Sequence, residues 1–261
     1  MMCVVKVGGN AFDHADLSAD AWTQFVHDVA ATLNDGHEVI IVHGAGPRIN
    51  QVADAFGVES AFVDGLRVTP PDMMAVVARA VGHVTADITS SLNAHPVMCA
   101  LGLTGASVVT ASALGEPWGQ VADELTVDGS ALRALLDAGF TPVVSCVVSD
   151  GQGSILNANA DHVAGAIASI LRADELIQMT DVAQLRRDPD DPSTAVSSVT
   201  VSQVDDMIAR GTIRDGMIPK MQAASLAVQH GARCVVMASG VEAGALGRAR
   251  RREGLFTEVV A

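Results

Sequence analysis

Short apolar runs rich in β-branched residues alternate with helix-period segments along this 261-residue chain. That alternation, more than any other feature, restricts the fold. Val4, Val5 and Val7 read as a first strand over 4–7, stopped by Gly8 and Gly9, with a helix pattern following over 18–33. Further strands are predicted over 38–42, 97–101, 141–148, 175–179, 233–238 and 255–260. Helices are predicted over 48–56, 72–92, 129–138, 160–171, 201–209, 217–230 and 242–248. Residues 58–68 read as a hairpin or flap, and 104–124, mixing Gly, Ser, Thr and β-branched residues, as short antiparallel strands. The order implies an α/β protein with a mostly parallel sheet covered by helices on both faces. The turn Asp150-Gly-Gln-Gly places a boundary near 151–153, between a lobe over 1–153 and one over 154–261. The Asp-, Pro- and Ser-rich stretch 188–197 reads as an exposed loop.

A parallel strand buried on both faces is ordinarily an unbroken apolar run, and Lys6 interrupts this one. An ammonium group placed there needs a partner. Of the 16 Lys and Arg residues only Lys6 and Lys220 are lysines. Both sit beside glycine turns, Lys6 before Gly8-Gly9 and Lys220 closing Asp215-Gly-Met-Ile-Pro-Lys220. Lysine is a compact point charge that the planar guanidinium does not replace, so the pair points to a shared site.

With 49% hydrophobic residues the chain can bury a large core. No apolar run reaches the ~20 residues of a membrane span, and no basic segment precedes the first strand. A cytoplasmic protein without membrane partners is therefore expected. A formal charge of −14 argues against nucleic acid as a partner. The basic cluster Arg248, Arg250, Arg251 and Arg252 reads as a solvated helix end. Cys3, Cys99, Cys146 and Cys234 each lie in an apolar, strand-like run without paired spacing, which predicts buried thiols and neither a disulfide nor a zinc site.

Sites in open parallel sheets form at the carboxyl ends of strands. There the sequence places Gly8-Gly9-Asn10 and His43-Gly44-Ala45-Gly46-Pro47, the second opening a helix. Glycine turns let backbone approach a ligand, and helix starts favour anions. Neither a P-loop nor a G-x-G-x-x-G motif is present. Leu156-Asn-Ala-Asn-Ala-Asp161 opens another helix, where Asp161 reads either as a first-turn acid or as the carboxylate that a buried lysine requires. Thr180-Asp181 closes a further strand. Arg67, in Asp64-Gly-Leu-Arg-Val-Thr69, reads as a surface arginine or as a bidentate carboxylate clamp. Two ammonium groups, glycine N–H donors and an organising Asp suit phosphoryl transfer. No general base accompanies them, which fits a carboxylate acceptor already ionised at neutral pH.

Val5-Lys6-Val7-Gly8-Gly9-Asn10-Ala11, Val42-His43-Gly44-Ala45-Gly46-Pro47, Gly65-Leu-Arg67-Val-Thr69, Asn157-Ala-Asn159-Ala-Asp161, Thr180-Asp181-Val182 and Asp215-Gly-Met-Ile-Pro-Lys220 together resemble the amino acid kinase family. The resemblance is strongest to its N-acetylglutamate kinase branch and extends over nearly the whole chain. It implies a three-layer αβα sandwich and ATP-dependent phosphorylation, with Mg2+ bound alongside the nucleotide, of the side-chain carboxylate of N-acetyl-L-glutamate in arginine biosynthesis. By match, Lys6 and Lys220 would stabilise the phosphoryl group, Asp161 would hold both lysines, and Gly8, Gly9, Gly44, Ala45 and Gly46 would donate N–H groups. Arg67, Asn157 and Asn159 would bind the acylated amino acid. Asp181, Val182, Ala183, Gln184, Leu185 and Arg186, with Thr212, Ile213 and Arg214, would hold ATP, and no protein-held metal is implied. The first lobe would bind the acceptor and form a homodimer, and the second would bind the nucleotide. Because the first strand begins the chain, the resemblance implies the dimeric, arginine-insensitive form.

Three segments depart from the family pattern: Ala45 stands for the middle glycine of the loop, and Gly82-His-Val-Thr-Ala and Gly102-Leu-Thr-Gly-Ala lack the usual polar residues. They leave open an acetylaminoadipate or carrier-linked aminoadipate acceptor and, with less weight, a catalytically silent relative. The extra subdomain of carbamate kinases has no counterpart here.

Overall fold

The computed structural model describes residues 1–9, 19–182, 184–188, 191–214 and 216–261. Among them the strands run β1 (Met2–Val7), β2 (Glu38–His43), β3 (Phe62–Val63), β4 (Leu66–Arg67), β5 (Ala100–Leu103), β6 (Val109–Gly115), β7 (Gly119–Val127), β8 (Thr141–Ser145), β9 (Val147–Ser149), β10 (Ile155–Asn157), β11 (Glu175–Thr180), β12 (Leu185–Arg186), β13 (Ala195–Val196), β14 (Ser198–Thr200), β15 (Val235–Ser239) and β16 (Phe256–Val260). The helices are α1 (Ala19–Asn34), α2 (Gly46–Phe56), α3 (Pro71–Asn93), α4 (Gly129–Asp137), α5 (Ala160–Ile170), α6 (Val201–Ala209), α7 (Met217–Gln229) and α8 (Ala245–Arg250).

Eight strands form one open sheet in the order β14-β16-β15-β11-β1-β2-β8-β5. Pairing is parallel from β15 to β5, and β16 turns antiparallel against β15. Side-chain alternation sorts the apolar residues into two cores. Cys3, Val5, Val7 and Ile41 face α1, α2, α3 and α8, whereas Val4, Val42, Leu176 and Met237 face α4, α5, α6 and α7. The result is the expected three-layer αβα sandwich. Lys6 occupies a slot on the second face that the alternation would otherwise give to an aliphatic residue. No helix among the described residues is long and apolar enough to cross a membrane.

Residues 104–124 do form antiparallel strands: β6 and β7 pair as a hairpin and, with β9 and β10, close a small four-stranded barrel. The single strand expected over 141–148 splits at Cys146, where the chain leaves the open sheet for the barrel. Gly105 presses on that break, since a Cβ there would lie 2.3 Å from the Ser145 carbonyl oxygen. β5 starts three residues later than expected because the Asn93 side chain pairs with both backbone groups of Ala100, at 2.7 and 2.9 Å. Cys99 is consequently exposed, while Cys3, Cys146 and Cys234 are buried as expected. At the end of the stretch expected as a loop, β13 pairs with β12, and directly after that stretch β14 adds to the sheet edge; such two- and three-residue strands are too short to leave a pattern.

The basic cluster is only half a solvated helix end: Arg251 is exposed and Arg248 partly exposed, whereas Arg250 and Arg252 turn inward. Arg250 Nε and Arg252 Nη1 reach the buried Glu175 carboxylate at 2.8 and 3.3 Å, and Arg252 Nη2 reaches Glu258 at 2.8 Å. Arg250 also donates to Thr32 Oγ1 at 2.7 Å. No local pattern signals this pairing, because the acceptor lies 75 residues upstream of Arg250.

Candidate active site

β1 lies between β2 on one side and β11 on the other, so the chain order reverses at β1 and a crevice opens at its carboxyl end. Four strands deliver backbone there: β1 into Gly8, β2 into Gly44, β11 into Asp181 and β15 into Gly240. A cleft of about 200 Å³ is lined by Lys6, Gly8, Gly9, Gly46, Asp181 and Lys220, together with Met179, Thr180, Gly240 and Val241.

The glycines are required by contact. A Cβ on Gly9 would stand 2.6 Å from the Gly46 nitrogen, so the two turns can touch only if the first lacks a side chain. Gly240 packs closely but less tightly, since its Cβ would meet the Thr180 nitrogen at 3.3 Å. The backbone donors divide into two groups. Gly8 N–H donates to the Met179 oxygen at 3.1 Å and Gly44 N–H to the Val7 oxygen at 3.2 Å, so both extend the sheet. The N–H groups of Gly9, Ala45 and Gly46 donate to no described residue, which leaves them available to an anion at the start of α2. The Ala45 methyl belongs to the first apolar core and not to the cleft, so the family's missing glycine is absorbed by packing.

Lys6 Nζ lies 2.9 Å from Asp161 Oδ1, and both groups are buried. Asp161 stands in the first turn of α5, whose cap is Asn159, its Oδ1 accepting from Asp161 N–H at 2.8 Å. Asn159, expected among the substrate ligands, thus spends its side-chain oxygen on the helix that presents Asp161. Asp161 does not hold both lysines. Lys220, on α7, donates to Thr180 Oγ1 at 2.8 Å and pairs with Asp181, to which Thr180 also donates at 2.8 Å. The Lys220 ammonium, helped by that hydroxyl, pulls the Asp181 carboxyl down to about 2.

Arg67 is the last residue of the β3–β4 hairpin, turned by Asp64 and Gly65, both at positive φ of 50° and 78° as a type I′ turn demands. Its guanidinium is buried, stacks 4.7 Å from the Phe62 ring centroid, and donates to Asn50 Oδ1 at 2.8 Å and to Ser60 Oγ. No carboxylate among the described residues pairs with it, and burial lowers its pKa. Asn157 donates to Thr69 Oγ1 at 3.1 Å, and Thr69 donates back to the Arg67 carbonyl at 2.7 Å. The β6–β7 turn braces this wall, with Thr69 N–H donating to Trp118 O at 2.9 Å.

Among residues matched to nucleotide binding, Asp181 lines the cleft, Val182 and Arg214 are exposed, and Arg186 and Thr212 are half-buried. Leu185 and Ile213 are buried in the second core, so their side chains do not face a ligand. Gln184 donates to Phe256 O at 3.1 Å. Ala183 lies outside the described residues, as do Asn10, Ala11 and Asp215 of the quoted motifs. Unforeseen are Gly240 and Val241, whose signal is a glycine directly after an apolar strand, and the Asn50, Ser60 and Phe62 cradle of Arg67.

His43 ends β2 with no exposed surface, its Nδ1 3.2 Å from Gly44 O and its Nε2 2.9 Å from Thr85 Oγ1. Burial lowers its pKa to about 4. Since the folded value lies below the unfolded one, near ~6.5, the neutral ring contributes stability above pH ~6.5 that is lost as pH falls towards the folded value. Between pH 7 and 4.5 the protein is expected to lose about 2–3 kcal/mol that a His43→Asn variant does not lose. Urea unfolding of both proteins at the two pH values checks this, and equal losses would contradict it.

The family model described as "Amino acid kinase family" matches residues 1–238. This chain belongs to that family. A family member from Deinococcus radiodurans, named acetylglutamate kinase, is 38% identical over 252 residues, covering 96% of this chain and 97% of its own. The crystal structure of a Streptococcus mutans UA159 protein superposes with a TM-score of 0.81 at 27% identity, over 100% of this chain and 98% of that one. N-acetylglutamate synthase from Neisseria gonorrhoeae, complexed with coenzyme A and N-acetyl-glutamate, gives 0.85 at 20% identity over all of this chain and 59% of that one, which is a likeness of fold.

Proposed function

We propose that this protein transfers the γ-phosphoryl group of ATP to the side-chain carboxylate of N-acetyl-L-glutamate, producing an acyl phosphate for arginine biosynthesis. The observation that carries the reading is a crevice lined by the only two lysines of the chain. Lys6 and Lys220 line it beside N–H groups that donate to no described residue, and Arg67, with no carboxylate partner among the described residues, is held by the β3–β4 hairpin of the first lobe. The first set suits phosphate oxygens and the second suits the α-carboxylate of an acylated amino acid. The acetylglutamate kinase name of relatives at 36–38% identity supports the choice of acceptor.

In this reading the acceptor carboxylate attacks the γ-phosphorus, the bond to the β,γ-bridging oxygen breaks, and ADP leaves. Lys6 and Lys220 neutralise the charge spread over the transferring group, while Gly9, Ala45 and Gly46 N–H groups hold its oxygens. Asp161 keeps the Lys6 ammonium aimed. Asp181 holds Lys220 until phosphate oxygens compete for it. Mg2+ would come with the nucleotide and would neutralise phosphate charge during the transfer. Asn157 and Arg67 take the acetamido and carboxylate ends of the acceptor, residues 1–153 forming its lobe, and 154–261 hold ATP around residues 181–186 and 212–214. The unpaired outer edge of β5 supports a homodimer joined there.

Arg67→Lys is expected to raise the acceptor KM about 10–100-fold and leave that for ATP within about twofold, since one ammonium cannot replace two fork hydrogen bonds. Steady-state kinetics with each substrate varied checks it. The function itself is tested by ADP release with hydroxylamine present, offering N-acetyl-L-glutamate, N-acetyl-L-aminoadipate or L-glutamate. Hydroxamate from acetylglutamate above the others supports the reading; preference for the longer homologue or for the free amino acid overturns the acceptor.

A further inference from the structure

The loop that would bind the phosphoryl group begins with a peptide whose direction is set from behind. Gly44 O lies 3.2 Å from His43 Nδ1. A carbonyl only accepts, so Nδ1 carries the hydrogen, and in the neutral ring Nε2 then accepts from the Thr85 hydroxyl at 2.9 Å, whose one hydrogen it shares with the Val81 carbonyl oxygen 3.0 Å away. Thr85 stands on α3, within the Gly82-His-Val-Thr-Ala segment that departs from the family pattern. Its place depends on another departing segment, because a Cβ on Gly102 would lie 3.0 Å from Thr85 Cγ2 and 2.8 Å from Thr89 Oγ1.

In a planar trans peptide the C=O and the following N–H point opposite ways. Drawing Gly44 O towards α3 therefore sends the Ala45 N–H to the other face of the sheet, where α5 carries Asp161 against Lys6. Gly44 itself abuts the start of α5, its Cβ position 3.5 Å from Ala160 Cβ. If this peptide were turned over, its carbonyl oxygen would face the phosphoryl oxygens and repel them.

We propose that His43, oriented by Thr85, is a positioning residue that locks the Gly44–Ala45 peptide with its N–H towards the transferring phosphoryl group. This rests on the kinase reading above. The segments that differ from the family then supply a support to the loop from the opposite face. Thr85 and His43 touch neither substrate, so their loss acts on turnover through the peptide.

The experiment compares Thr85→Val, which keeps the shape and removes the hydroxyl, with Thr85→Ser, which keeps the hydroxyl. It adds His43→Leu against His43→Asn, whose amide retains a donor near the Nδ1 position. Losing one preorganised donor costs about 10²–10³ in kcat, so His43→Leu is expected near the lower figure, and Thr85→Val, acting one bond further away, near tenfold. Thr85→Ser and His43→Asn should recover most of each loss, with the ATP KM within about twofold throughout. Rates are referred to folded protein measured by thermal melting, and Thr85→Val carries the test should His43→Leu not fold. Wild-type kcat in Thr85→Val, or equal losses in the Val and Ser variants, overturns the proposal while acetylglutamate turnover by the wild type stands. Absence of that turnover in the wild type overturns the kinase reading and this proposal with it.

Discussion

Lys220→Arg is expected to lower kcat about 10³-fold, the lower end of what a cation on a transferring phosphoryl group contributes, while leaving the fold unchanged. Lys220 projects from α7 into the cleft, and its side chain keeps 23% exposure. In this resting arrangement it needs only to meet Thr180 Oγ1 and the Asp181 carboxylate. A guanidinium can pair with Asp181 too, so the melting temperature should move by no more than about 3 °C. It cannot place one compact charge between phosphoryl oxygens, because its five donors lie in a fixed plane. Turnover within a few-fold of wild type would remove Lys220 from the chemistry. A matched fall in stability would show that the loss came from misfolding.

Glu175→Gln is expected to do the opposite. Glu175 opens β11 with its side chain 5% exposed and takes Arg250 on one oxygen and Arg252 on the other. Removing the carboxylate leaves the Arg250 guanidinium without a charged partner while Arg252 keeps Glu258, at a cost of about 3–5 kcal/mol for breaking a buried ionic cluster. For a chain of this size that is a drop in melting temperature of roughly 10 °C. The site lies at the other end of β11, about 16 Å away at the rise of a strand, so kcat of the remaining folded protein should be unchanged. Urea unfolding with kinetics at a temperature below both transitions separates the two effects. A stability within 1 kcal/mol of wild type would mean that the cluster is screened by solvent, contrary to its burial.

The sandwich was legible because most strands of the open sheet are short apolar runs and the helices between them carry apolar stripes, so type and order could be read locally. Lys6 was legible as a site residue for the same reason, being a charge at a position whose neighbours demanded none. What could not be read depends on contacts between distant segments. Asp161 and Asp181 both stand at carboxyl ends of the fold, and only the path of α7 decides that Lys220 meets the second. Asn159 has the composition of a ligand and the geometry of a helix cap. Leu185 and Ile213 sit in segments matched to nucleotide binding yet point into the core, a choice of side-chain direction that motif spacing does not encode. The ion cluster on Glu175 joins residues 75 and 77 positions apart, beyond any local pattern.

The central claim is that the γ-phosphoryl group of ATP ends on the carboxylate of acetylglutamate. It is tested most directly by following that phosphorus with 31P NMR in a mixture of the wild-type protein, Mg-ATP and N-acetyl-L-glutamate. The account predicts that the γ signal is replaced by an acyl phosphate resonance at the rate at which ADP appears, and that neither change occurs when the acceptor is left out. Release of inorganic phosphate alone, at the same rate with and without acetylglutamate, would contradict it.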